Sequence, residues 1–193
     1  MKKIISLSLI IMALVLVFAS CGTSSKTYRV EMTFDGFGTV TAELYGKDAP
    51  ITVENFVKLV KSGYYNGTYI IRSQKGFVIQ GGQGAGTGTI KGEFTSNGVN
   101  NTLKHERGTL SMARSQKNDS ASDQFFICLD DNSASSLDGN YAAFGKIVKG
   151  MEVIDAITQS FDSDDYMDGY YGLLMGFLNE SSYIRIVSAK LVD

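Results

Sequence analysis

The chain has 193 residues, with 18 Lys and Arg against 20 Asp and Glu (formal charge −2), one His, two Cys, one Pro and no Trp. One His and two Cys cannot supply the three or four ligands of a zinc site, and a mildly acidic chain lacks the basic face that a nucleic acid backbone requires; no metal, no cofactor and no nucleic acid are expected. A hydrophobic fraction of 44% suffices for a packed core, excludes a disordered chain, and at this length points to one domain.

At the N-terminus, Lys2 and Lys3 precede an apolar run, Ile4 to Ala19, interrupted only by Ser6 and Ser8. The run is short for a bilayer span and has the positive start of a secretory signal. It ends in Phe18-Ala19-Ser20-Cys21, which resembles the cleavage box of a bacterial lipoprotein, with Phe18 where Leu is usual. The resemblance implies a signal peptide over 1–20, lipidation of Cys21 as the new N-terminus, a tether over 21–27 and a single domain over 28–193. An uncleaved N-terminal membrane helix is the competing reading, and either one places the domain outside the cytoplasmic membrane. Cleavage would remove two Lys and no acid, taking the charge from −2 to −4, and acylation of Cys21 would leave Cys128 without a disulfide partner.

Tyr28–Phe34 and Thr39–Tyr45 alternate apolar and polar residues, the period of half-buried strands, and Asp35-Gly36-Phe37-Gly38 supplies turn residues for a hairpin between them. Asp48-Ala49-Pro50 breaks the second strand, and Thr52 is the expected cap of a helix to about Ser62, with Val53, Phe56, Val57 and Val60 as its apolar stripe and Gly63 just past its end. Short strands are expected at Tyr69–Arg72, Phe77–Gln80, Thr109–Ala113, Gln124–Leu129 and Tyr141–Ile147, a second helix at Met151–Gln159 and a last strand at Tyr183–Val192. So many strands form a mainly antiparallel sheet that removes its edges by closing into a barrel, with the helices over the open ends.

Four blocks hold the densest unusual chemistry: Arg72-Ser-Gln-Lys-Gly-Phe77-Val78-Ile-Gln80-Gly-Gly, Leu110-Ser-Met-Ala113-Arg114, Gln124-Phe-Phe126-Ile-Cys128, and Leu137-Asp-Gly-Asn-Tyr141. With Asp48-Ala-Pro-Ile-Thr-Val-Glu-Asn-Phe56 they resemble, in content and order, the cyclophilin family of peptidyl-prolyl cis-trans isomerases, over roughly Tyr28 to Gln159. The resemblance implies a mainly β fold: a closed eight-stranded antiparallel barrel capped by two α-helices. It puts the family's catalytic arginine on Arg72 with Gln80 beside it. The substrate-binding positions fall on Phe77, Val78, Ala113, Arg114, Gln124, Phe126, Leu137 and Tyr141. Tyr141 stands where eukaryotic members carry His, Arg114 where Asn is common, Gln83 where Asp is common, and Ser136 where several members carry the Trp that contacts cyclosporin, so weak cyclosporin binding is expected. Substrate contact at position 114 runs through the backbone in the family, so activity is compatible with Arg there.

The chemistry suits these residue types. Amide resonance sets a rotation barrier of about 18–20 kcal/mol, and no nucleophile or metal is needed to lower it. In the twisted state the prolyl nitrogen regains its lone pair, and a permanently protonated guanidinium can donate to it. Apolar side chains at 77, 126 and 137 clamp the ring while the acyl side turns, and Gln80 orients Arg72. Gln124 and Phe126 share one strand face, with Phe125 and Ile127 on the other, so one face can serve a pocket and the other a core. Phe77 and Gln80 have opposite parity and can line one site if Phe77 sits at the very start of its strand, which Gly76 permits.

Other motifs have plainer readings. Gly82–Gly88 lacks the Lys-Ser/Thr ending of a phosphate loop and is expected as a rim loop beside the pocket. His105, Ser111 and an Asp admit a hydrolase triad, but no nucleophile elbow accompanies them. Cys128 sits in an apolar strand as an inert thiol. The acidic stretch Asp162–Gly169 misses calcium-loop spacing and reads as a solvated loop, whereas Tyr170–Leu178 is apolar enough to demand burial or a ligand. A short helix packed on the barrel end is the expectation for it, with a ledge for unfolded client chains as the alternative. The overall expectation is a monomeric, membrane-anchored isomerase acting on proline-containing segments of exported proteins. The competing classes are a cyclophilin-like module that binds such segments with little turnover, and a solute-binding lipoprotein, which the small barrel disfavours.

Overall fold

Alternation in the first two strands becomes a two-faced hairpin. In β1 (Thr27–Phe34) Val30, Met32 and Phe34 point inward, and in β2 (Gly38–Tyr45) Val40, Ala42 and Leu44 do the same, every one of them buried. The computed structural model describes residues 26–84 and 86–193; the predicted signal segment and Cys21 lie outside the described residues. β1 begins at Thr27, so the last tether residue is already strand.

After α1 (Pro50–Lys61) come β3 (Tyr69–Gln74), β4 (Val78–Gly81), β5 (Thr109–Met112), β6 (Phe125–Cys128), the single helical turn α2 (Asp131–Ala134), β7 (Ala143–Lys149), α3 (Met151–Ser160), the short α4 (Tyr170–Leu173) and β8 (Ile184–Val192). The eight strands close in the order β1-β2-β7-β5-β6-β4-β3-β8, every neighbouring pair antiparallel, with β8 returning to β1.

The expected cap of α1 is corrected. Pro50 does not merely stop β2; it occupies the first helical turn, where its missing N–H costs nothing. Ala49 precedes it without a side-chain cap, and the orphan donors go to a distant carboxylate instead. Buried Glu93 accepts from the backbone N–H of Ile51 (3.0 Å) and of Thr52 (2.7 Å), and the Thr52 hydroxyl donates to it at 2.7 Å. Phe56 on the inner face of α1 packs against Tyr65, Phe125 and Phe144, with ring centroids 4.8, 5.7 and 5.1 Å away, so α1 and the barrel share one core.

The segment between α3 and β8 differs from expectation. A helix forms, but only over Tyr170–Leu173, and Tyr170 and Tyr171 stay exposed. What packs is the stretch after it. The Ser73 N–H donates to the Gly176 carbonyl at 2.8 Å, the Leu178 N–H to the Ile71 carbonyl at 3.0 Å, and Phe177 bridges Arg72 in antiparallel fashion. β8 pairs with β3 only at Tyr69 and Ile70, so residues 176–178 cover the part of the β3 edge that β8 leaves open.

Candidate active site

The outer face of β3, β4, β6 and β5 carries one row of directly opposed residues: Arg72 faces Gln80, Gln80 faces Phe126, and Phe126 faces Ser111. Residues opposite each other in a ladder project to the same side. Simple alternation would put Arg72 on the side of Ile70, which is buried in the barrel core. The ladder slips between Ile70 and Arg72, Ile71 being the extra residue, and this bulge turns Arg72 outward.

The parity split in β6 and β4 is as the sequence implies. Phe125, Ile127 and Ile79 join the barrel core, while Val78, Phe126 and Cys128 join Ala134 and Leu137 in a second, smaller apolar cluster outside the barrel, with Phe77, Ala113 and Tyr141 packed against it. Phe77 escapes the parity conflict by lying one residue before β4. The tight turn through Gly76 (φ +71°) delivers it there, and its N–H donates to the Gln74 carbonyl at 3.0 Å.

These residues surround a cavity of about 720 Å³. All ten predicted site positions line it: Arg72 and Gln80 with the apolar Phe77, Val78, Ala113, Phe126, Leu137 and Tyr141, and Arg114 and Gln124 besides. Sequence reasoning missed Gln74, Met175 and Phe177, and the hydroxyl-bearing Ser115, Ser120 and Ser122 at another part of the wall. Gly84 brings the predicted rim loop to the cavity, where the Gln83 and Gly84 N–H groups donate to Asp123 at 2.9 and 2.8 Å. Ser136, beside Leu137, is exposed.

Arg72 is held from three sides. Nε donates to the Met175 carbonyl, Nη1 to Gln80 Oε1 (3.2 Å) and Nη2 to Gln74 Oε1 (2.5 Å), while Phe177 lies with its ring centroid 5.8 Å from the guanidinium carbon. Gln80 in turn donates to Gln124 Oε1 at 2.9 Å, which fixes which end of its amide faces Arg72. A guanidinium carries five N–H donors, so Nη1 and Nη2 each keep one beyond these bonds among the described residues. Burial lowers the Arg72 pKa, and Tyr141 opposes that shift; an arginine so placed stays protonated at neutral pH.

His105 does reach an Asp and a Ser, with Nδ1 3.0 Å from Asp138 Oδ1 and Nε2 3.0 Å from Ser111 Oγ. Ser111 is 0% exposed and no carbonyl could reach its hydroxyl, so this is a structural network under the cavity floor, where the imidazole stacks on Phe126 with centroids 6.0 Å apart. Among the described residues no group of three His, Cys, Asp or Glu could hold a metal ion.

A family model described as cyclophilin type peptidyl-prolyl cis-trans isomerase/CLD matches residues 29–169. The chain belongs to the cyclophilins. It is 46% identical over 130 residues to a peptidyl-prolyl cis-trans isomerase of Acinetobacter baylyi, covering 62% of this chain and 66% of that one. It is 38% identical over 165 residues to peptidyl-prolyl cis-trans isomerase A of Dickeya dadantii, covering 82% and 85%. Among solved structures, a cyclophilin type peptidyl-prolyl cis-trans isomerase of Cryptosporidium parvum, crystallised in the presence of the dipeptide Ala-Pro, superposes with a TM-score of 0.67 at 27% identity, covering 86% of this chain and 99% of that one. The family match ends at residue 169, so Met175 and Phe177 belong to a part of the site beyond it.

Proposed function

We propose that this cyclophilin accelerates X–Pro isomerisation by hydrogen bonding from Arg72 to the prolyl nitrogen of the twisted amide, on exported polypeptides that fold outside the cytoplasmic membrane. The observation that carries the mechanism is the position of the Arg72 guanidinium, fixed by Gln80, Gln74 and Met175, in the same cavity as the apolar cluster of Phe77, Phe126 and Leu137. That cluster has the apolar chemistry a pyrrolidine ring calls for, and the Ala-Pro dipeptide present with the Cryptosporidium relative supports a proline-containing ligand.

With the ring clamped, rotation is left to the acyl side. As the amide twists, its nitrogen becomes a hydrogen-bond acceptor, and a donor fixed beforehand favours that state over the planar ground state. The Gln80–Gln124 relay holds the donor in place and offers an amide to the substrate backbone. The lipoprotein-like Phe18-Ala19-Ser20-Cys21 supports a membrane-anchored protein acting on emerging chains, with Cys21 carrying the lipid.

A coupled proline-isomerisation assay on a short peptide, comparing wild type with Arg72→Ala, tests the mechanism. Removal of one transition-state donor is expected to cost a factor of about 10²–10³ in kcat/KM. Peptide binding by the wild type without acceleration would favour the binding module instead. Radiolabelled palmitate incorporation in wild type, lost in Cys21→Ser, is the expected outcome for the anchor.

A further inference from the structure

Met167, Tyr170, Tyr171 and Leu174 are all exposed apolar side chains of the segment between α3 and β8, and the last three stand 60–62% exposed. This surface runs into the active cavity. Met175 and Phe177 line the cavity beside Arg72, Tyr171 meets Phe177 edge-on at 6.2 Å, and Tyr170 meets Tyr171 edge-on at 5.7 Å. The arrangement is set in advance of any ligand. The Phe177 N–H donates to the Tyr171 carbonyl and the Met167 N–H to the Phe177 carbonyl, both at 3.0 Å, while Gln74 Nε2 donates to the Leu174 carbonyl at 3.2 Å. Another part of the wall is polar, with Ser115, Ser120 and Ser122.

A polypeptide with its proline ring against Phe126 has neighbours on both sides, and the residue that leaves past Arg72 meets this apolar wall. We propose that Met175 and Phe177, with Tyr171 and Leu174 at the rim, form a substrate subsite that receives an apolar side chain flanking the isomerising proline. The proposal rests on the isomerase reading above and adds a substrate class to it: prolines next to Leu, Phe or similar residues, as occur in chains not yet folded. A preformed apolar surface gains by burying such a side chain without ordering costs of its own. Its continuity with the cavity is what makes the occupant part of the same substrate chain.

The test is kcat/KM, by NMR exchange, for proline peptides bearing Ala, Leu or Phe at the two positions on either side of the proline, for wild type, Phe177→Ala and Leu174→Asp. A preference for Leu or Phe of roughly tenfold over Ala at one flank is expected, falling below about threefold in both variants. Equal acceleration of all peptides by the wild type overturns the subsite and leaves the isomerase reading intact. Acceleration of none overturns the isomerase reading itself. A preference that survives both variants assigns the selectivity to other residues and also overturns the proposal. Leu174 is exposed, so Leu174→Asp keeps the test informative if Phe177→Ala is misfolded by circular dichroism.

Discussion

Arg114 lies over the Tyr141 ring, its guanidinium carbon 4.6 Å from the ring centroid, and also 5.0 Å from that of Phe94. Its Nε donates to the Asn140 carbonyl at 3.0 Å, so the arginine braces the loop that carries Tyr141 to the cavity. Tyr141 itself meets Phe126 edge-on at 5.7 Å. The side chain at 114 therefore has a role here besides any backbone contact with substrate.

Arg114→Ala removes the brace and leaves Arg72 in place. An exposed cation–π contact is worth about 0.5–1 kcal/mol. KM for a proline peptide is expected to rise two- to fivefold with kcat within a factor of two, read from initial rates across peptide concentration. A large fall in kcat would show that Arg114 acts on the reacting amide instead.

Gly176 is where the last segment comes closest to β3. Its φ is +73°, and a Cβ there would stand 2.7 Å from the Ser73 carbonyl oxygen, a backbone atom that cannot swing aside. Gly176→Val is expected to lift the segment from β3, take the Met175 carbonyl off Arg72, and cost about 1–3 kcal/mol of stability. Urea denaturation and the isomerisation assay should both register the change; unchanged activity would separate the segment from catalysis.

Burial holds the His105 pKa below its ordinary 6.5, against the raising effect of Asp138. The unfolded chain takes up a proton near that pH and the folded one resists it, so the His105 contribution to stability is constant above about pH 6.5 and is lost as pH drops below it. Denaturation midpoints at pH 7.5 and 5.5 should show the loss. His105→Asn, less stable at neutral pH because it breaks the Asp138–Ser111 link, should show a flatter profile over the same interval.

Burial, with Asp138 adding to it, pushes the Cys128 thiol up to about 12. In a Cys21→Ser chain, Cys128 should not react with a disulfide reagent until denaturant is added. Rapid labelling of the folded chain would contradict the packing of the cluster behind Phe126.

The readable part of this protein is local. Alternation placed β1, β2 and β8 to within a residue or so, because each pairs a buried face with a wet one, and the stripe of Val53, Phe56 and Val60 marked α1. The ordered blocks from Arg72 to Tyr141 were enough to bring ten positions to one cavity. Capping of α1 was not readable, since Glu93 lies about forty residues away and nothing in its neighbourhood points back.

The arginine's setting belongs to the tertiary structure alone. Alternation assigns Arg72 to the inner face with Ile70; only pairing with β4 reveals the bulge at Ile71 that reverses it. The apolar run from Tyr170 demanded a partner without naming one, and the partner proved to be the β3 edge beyond the reach of β8, with Met175 and Phe177 carried to Arg72 as a result. Side-chain period is a property of consecutive residues. Register, bulges and uncovered edges are properties of strands that meet only after the barrel has closed.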